Sequence, residues 1–151
     1  MSTVKHLNDS KLPRLRKKQL TFWNRKYLTC AVLSIIMGVF LDQYFVYKGM
    51  YEFPVRPLPD IFSFNIGFTC IVLPVFVVLI LHLILQVNKW GRVGLILFVS
   101  LLMPIFEKFA EELGLFRHSE QWQHIYTFLG YLLFWTVIYG FYRFLEKLAH
   151  R

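Results

Sequence analysis

Four long apolar runs divide the chain, and polar residues gather in short clusters between them. Residues 28–45 hold one charge, Asp42, and residues 61–87 hold no Asp, Glu, Lys or Arg. Residues 93–106 are apolar until Glu107, and residues 125–142 are uncharged until Arg143. A helix that crosses a bilayer needs about 20 residues, and a run above about 18 with few charges is a strong candidate. The run 61–87 has no polar face to show water, which excludes a soluble bundle with buried helices. The pattern predicts an all-α, four-helix transmembrane bundle with spans at about 27–47, 61–87, 93–113 and 124–143. A basic segment over 1–26 precedes the membrane domain, 27–151, and is expected to lie at the interface.

The connections refine this reading. Pro54, Pro57 and Pro59 make the first loop extended, and Asp60 is expected to cap the second helix. The short turn around Asn88-Lys89-Trp90-Gly91-Arg92 makes helices two and three antiparallel neighbours. Pro74 and Pro104 fall inside spans and are expected to kink them. No internal repeat supports an inverted-repeat transporter.

Composition changes the picture only once the charges are placed. The 151 residues are 56% hydrophobic and 17% charged, with a net charge of +8. A basic nucleic-acid binder and a membrane protein both fit those totals. With the N-terminus inside, the inner segments hold Lys5, Lys11, Arg14, Arg16, Lys17, Lys18, Arg25, Lys26, Lys89, Arg92, Arg143, Lys147 and Arg151. The other side holds Lys48, Arg56, Lys108 and Arg117. The acids are reversed: only Asp9 and Glu146 are inside. This asymmetry is the positive-inside rule and predicts cytoplasmic termini. The charge then needs no nucleic acid. Leu12, Leu15, Leu20, Phe22 and Trp23 interleave with the N-terminal bases, so contact with anionic lipid headgroups is expected there. No cleaved signal peptide is expected, since no small-residue site follows the first apolar run.

Candidate chemistry is sparse. Cys30 and Cys70 lie at opposite depths and cannot pair, and no zinc spacing, phosphate loop or nucleophile elbow is present. His82 reads as a hydrogen-bonded bundle residue, and Trp23, Tyr27, Tyr51, Trp90 and Trp122 as an aromatic belt. Two acids stand out. Asp42 and Glu107 both lie roughly 21–23 Å above the inner face at 1.5 Å per residue. A charge in the hydrocarbon layer costs about 2.5–3.5 kcal/mol and ordinarily faces the bundle interior. Asp42 ends a stripe of small and polar residues, Cys30, Ser34, Gly38 and Asp42, suited to close helix contact. Ser100, Pro104, Glu107 and Glu111 form a matching stripe on helix three. Candidate partners are Lys48, Arg56, Lys108, Arg117, His118 and His124, with Tyr126 and Tyr131 as hydroxyl donors. The polar cluster expected is therefore Asp42, Arg56, Glu107, Glu111, His124 and Tyr126. Three roles fit it. One is a structural pairing that fixes helix packing. Another is a ligand or proton site. The third is an oxygen-rich metal site for Mg²⁺, Ca²⁺ or Mn²⁺, built from Asp42, Glu107, Glu111 and His124. Whether a metal binds is left open.

Pro54-Val55-Arg56-x-Leu58-Pro59, then Leu73-Pro74, Met103-Pro104-x-Phe106-Glu107 with Glu111, Trp122, Tyr126-Thr127-Phe128 and Phe134-Trp135 form a combined pattern over roughly residues 35–145. In this combination the chain resembles a family of small multi-span integral membrane proteins from Bacillus, Clostridium and related Bacillota, a family without an established activity. That pattern often carries a His between the aromatic after Trp122 and the Thr-Phe pair. Here Tyr126 takes that place and His124 lies two residues earlier. The resemblance implies a bacterial cell membrane and gives no substrate.

The function expected is non-enzymatic: an accessory or interaction protein organised around Asp42 and Glu107. It needs no cofactor, and its partners are the lipid bilayer and a membrane-protein partner or a second copy. The alternatives are a small transport or ion-binding protein using the same acids and, lower, a membrane-embedded enzyme.

Overall fold

The computed structural model describes residues 25–149. The basic segment with its headgroup contacts, apart from Arg25 and Lys26, lies outside the described residues, as does Arg151. The chain is an all-α four-helix bundle: α1 (Arg25–Tyr47), α2 (Leu73–Gln86), α3 (Lys89–Glu112) and α4 (His124–Ala149). Each is long and apolar enough to cross a membrane once the π-helical turn before α2 is counted with it. At 1.5 Å per residue the 24 residues of α3 extend about 36 Å, enough for a ~30 Å hydrocarbon core. This is a multi-pass membrane protein. Leu28, Val32, Ile36 and Phe40 of α1, and Leu97, Phe98, Leu101 and Ile105 of α3, are exposed. Such apolar belts suit lipid rather than water.

The core lies between the helices. Trp135, Leu81, Ile84, Ile138, Val77 and Cys30 are fully buried in one cluster. The small-residue stripe of α1 faces inward as expected: Cys30, Ser34 and Gly38 are buried. A Cβ on Gly38 would come within 2.8 Å of both Leu73 Cδ2 and Thr69 Cγ2, so the glycine sets how closely α1 approaches the second hairpin arm. α1 packs chiefly on α2, and α3 chiefly on α4. At the end where α2 turns into α3, the Tyr27 hydroxyl meets His82 Nδ1 at 3.4 Å, and Arg92 Nη1 donates to the Tyr139 hydroxyl at 2.9 Å. His82 is thus a bonded bundle residue.

Several boundaries differ from the sequence reading, each for a physical reason. The second helical segment does not start at 61 and Asp60 does not cap it. Asn65 does, its Oδ1 accepting the Phe68 N–H at 3.0 Å. The intervening residues fold back because Arg56 binds the carbonyls of Phe53 (2.6 Å) and Phe62 (2.8 Å). Phe64 then packs with Phe53 and Phe116 in a second apolar cluster. Pro74 perturbs the helix by widening the turn ahead of it. Proline has no N–H and its ring crowds the carbonyl one turn back. The chain answers with a π-helical turn over Phe68–Val72, where the Leu73 N–H reaches Phe68 O. α3 starts four residues earlier than expected, because Asn88 Oδ1 accepts the Gly91 N–H at 2.8 Å. α4 continues to Ala149, its last turns carrying an Arg143–Glu146 pair at 2.6 Å.

At the opposite end a feature appears that hydropathy does not signal. α1 and α3 each stop at a glycine of positive φ, Gly49 (66°) and Gly114 (72°). The strands that follow, β1 (Tyr51–Glu52) and β2 (Arg117–His118), pair antiparallel, Tyr51 opposite His118 and Glu52 opposite Arg117. This short ribbon joins the α1–α2 loop to the α3–α4 loop.

Candidate functional site

Asp42 lies one helical turn beyond Gly38, where the close approach of α1 brings it onto Thr69. The Thr69 hydroxyl donates to Asp42 Oδ2 at 2.7 Å, and the Tyr51 hydroxyl donates to Oδ1 at 3.0 Å. Each carboxylate oxygen therefore has its own donor. Thr69 belongs to the π-helical turn that Pro74 imposes, and Tyr51 to the ribbon.

Glu107 is held by a different set. The Thr127 hydroxyl of α4 donates to Glu107 Oε2 and itself accepts from Trp122 Nε1 at 3.0 Å. His118 Nε2 stands 3.2 Å from the same Oε2 in ion-pair contact, off the alignment of a hydrogen bond. The other ring nitrogen, Nδ1, lies 3.2 Å from Glu111 Oε1, which also accepts the His118 backbone N–H at 3.0 Å. One imidazole thus bridges two carboxylates a helical turn apart on α3. Its side chain is 7% exposed.

Aromatic rings enclose both acid sets. His118 stacks on Trp122 (5.5 Å, 19° between planes) and meets Phe116 edge-on at 4.5 Å. Tyr51 packs on Phe116 at 4.9 Å and on Trp122 at 5.6 Å. Burial holds the Tyr51 hydroxyl protonated far above its ordinary value. The negative charges of Asp42 and Glu107 act in the same direction. The ribbon that sets Tyr51 opposite His118 thus gathers both carboxylates at one end of the bundle, with no bond between them.

The expected cluster is partly assembled. Asp42, Glu107 and Glu111 are in it. His124, first residue of α4, meets it through its ring, edge-on to His118 at 5.8 Å. Tyr126 is half exposed and contributes a ring contact with Trp122 at 5.8 Å. Arg56 pairs with no acid among the described residues, because its guanidinium is taken by loop carbonyls. Arg117 pairs with Glu52 at 3.3 Å on the exposed face of the ribbon, and Lys48 lies over the Tyr44 ring. Thr69, Thr127, Tyr51 and Trp122 as hydrogen-bond donors were not foreseen. A Thr near the acid-bearing end of each partner helix was the available signal, since hydroxyls are the donors that membrane interiors tolerate.

Among the described residues no group of three or more His, Cys, Asp and Glu is placed to hold a metal ion. Asp42, in particular, is occupied by hydroxyls on both oxygens. Compared with protein-family models, with curated proteins and with solved structures, the chain shows no match in any of the three.

Proposed function

We propose that this chain is a non-enzymatic accessory protein of a bacterial plasma membrane, with both termini cytoplasmic, whose capped end is a structural lock presenting the ribbon to a membrane-protein partner or a second copy. The observation that carries the reading is Asp42, whose two oxygens each accept a hydroxyl from a different segment. A carboxylate held by a hydroxyl on each oxygen ties α1 to both its neighbours. The excess of Lys and Arg at the end holding Arg25, Lys26, Lys89, Arg92, Arg143 and Lys147 supports the orientation. The resemblance to small Bacillota membrane proteins supports the bacterial setting.

The test is substitution. Asp42→Asn and Glu107→Gln lower folded yield in detergent and leave ion permeability of proteoliposomes unchanged. Thr69→Val, which removes only a donor, follows Asp42→Asn. Normal yield together with loss of a proton or cation flux overturns the lock. Labelling of a cysteine added within 1–20 from outside alone overturns the orientation.

One observation favours a second reading, a proton-binding site. His118 stands between Glu107 and Glu111 with a nitrogen toward each, an arrangement that can pass a proton between two carboxylates. Under it, His118→Gln abolishes a pH-driven flux while the bundle remains folded.

A further inference from the structure

Beside the cap, on the lipid-facing side of α3 and α4, Pro104, Ile105, Lys108, Phe109, Glu112 and His124 line an open groove of about 410 Å³. Its lower wall is apolar: Ile105 and Phe109 are exposed there. Its upper rim carries two nitrogen bases and one acid. Lys108 and Glu112 stand four residues apart on one face of α3, and neither belongs to an ion pair among the described residues. At 1.5 Å per residue Lys108 lies about 24 Å and Glu112 about 30 Å along α3 from Arg92, the basic residue near its other end. That is the depth at which acyl chains give way to headgroups.

We infer that this groove binds one glycerophospholipid with a primary-amine headgroup, its phosphate against Lys108 and His124, its ammonium against Glu112 and an acyl chain along Ile105 and Phe109. The charge pattern selects the class. Lys108 donates to a phosphodiester, and an imidazole N–H does so in either protonation state. Glu112 accepts from an ammonium N–H, which a phosphocholine group lacks. Beside a headgroup with no cation, as in phosphatidylglycerol, Glu112 is a repulsive neighbour. The apolar wall at bilayer depth selects a lipid over a free phosphoamine.

The experiment is native mass spectrometry of the full chain in detergent with added phosphatidylethanolamine, phosphatidylglycerol or phosphatidylcholine. The ethanolamine lipid is expected to stay bound at about tenfold lower concentration than either of the others. Lys108→Ala and Glu112→Gln each weaken it by about tenfold, with unchanged far-UV circular dichroism, since both side chains are exposed. Soluble phosphoethanolamine at the same concentration does not compete. Equal retention of phosphatidylglycerol, equal retention of phosphatidylcholine, indifference to Glu112→Gln, or displacement by soluble phosphoethanolamine each overturns the assignment. None of these outcomes bears on Asp42, so the lock stands or falls separately.

Discussion

Replacing Gly38 by alanine tests whether the close approach of α1 to the second arm holds Asp42 in place. The new Cβ would lie 2.8 Å from Leu73 Cδ2 and Thr69 Cγ2, about 0.7 Å inside the ~3.5 Å at which carbon atoms rest. Neither neighbour can step aside cheaply. Leu73 is buried, and Thr69 is 1% exposed with its hydroxyl committed to Asp42 and to Asn65 O. Turning the Thr69 side chain to clear its methyl swings the hydroxyl off both. Overpacking of this kind costs about 1–3 kcal/mol, and a lost hydrogen bond to a charged group about 1.5–3 kcal/mol. Alanine regains about 0.5–1 kcal/mol of helix propensity. The balance is a loss of about 1.5–5.5 kcal/mol, which lowers the unfolding midpoint by roughly 3–20 °C for a chain of this size. Gly130→Ala and Gly140→Ala are the controls, since a Cβ there meets nothing within 4 Å. They should leave the midpoint unchanged or raise it. Thermal unfolding in one detergent, followed by near-UV circular dichroism, decides. If Gly38→Ala is as stable as Gly130→Ala, the close approach does not govern the site.

Two further outcomes follow from the cap. Tyr51 has its ionisation raised above the ordinary value of 10.0, so the folded state holds its proton more tightly than the unfolded chain. That contribution is full below about pH 10 and is lost as pH rises beyond it. Wild-type stability should fall above pH 10, and Tyr51→Phe should flatten the fall while costing about 1–3 kcal/mol at neutral pH, because Asp42 Oδ1 loses its donor. Denaturant titrations from pH 7 to 11.5 check both, and an identical slope in the variant refutes the first. Arg56→Lys keeps the charge but loses the planar fork that reaches three carbonyls. The loop 53–62 should become the first site of limited proteolysis, whereas Arg117→Ala, which breaks only an exposed pair, should leave the digestion pattern unchanged.

Much of the architecture is legible in hydropathy, because a segment without a polar face admits one solvent. The inward stripe of α1 is legible from the spacing of Cys30, Ser34, Gly38 and Asp42, since small residues every four positions mark close packing. That Asp42 and Glu107 share one end of the bundle is legible by counting. Their partners are not, because partners depend on where loops return. Tyr51 and His118 reach the acids only through the ribbon, whose two-residue strands leave no periodicity to detect. The start of the second arm is misplaced for a related reason: Phe62 and Phe64 look like membrane helix and instead close the end of the bundle. Arg56 misleads because a lone cation near two acids suggests an ion pair, while the proline-rich loop around it offers carbonyls closer by.

The ribbon has a consequence for biogenesis. Its strands are separated by the whole of α2 and α3, and each belongs to a different helical hairpin. Tyr51 can therefore meet His118 only after the second hairpin has entered the bilayer, because until then β2 has not reached the side on which β1 waits. The first hairpin must persist through that interval with the Tyr51 ring lacking its packing on Phe116 and Trp122. The bundle is thus fastened by a late clasp, and a chain stalled after α2 would present Tyr51 and Phe53 without the Phe116 that covers them, a mark by which membrane quality control can distinguish an unfinished molecule from a complete one.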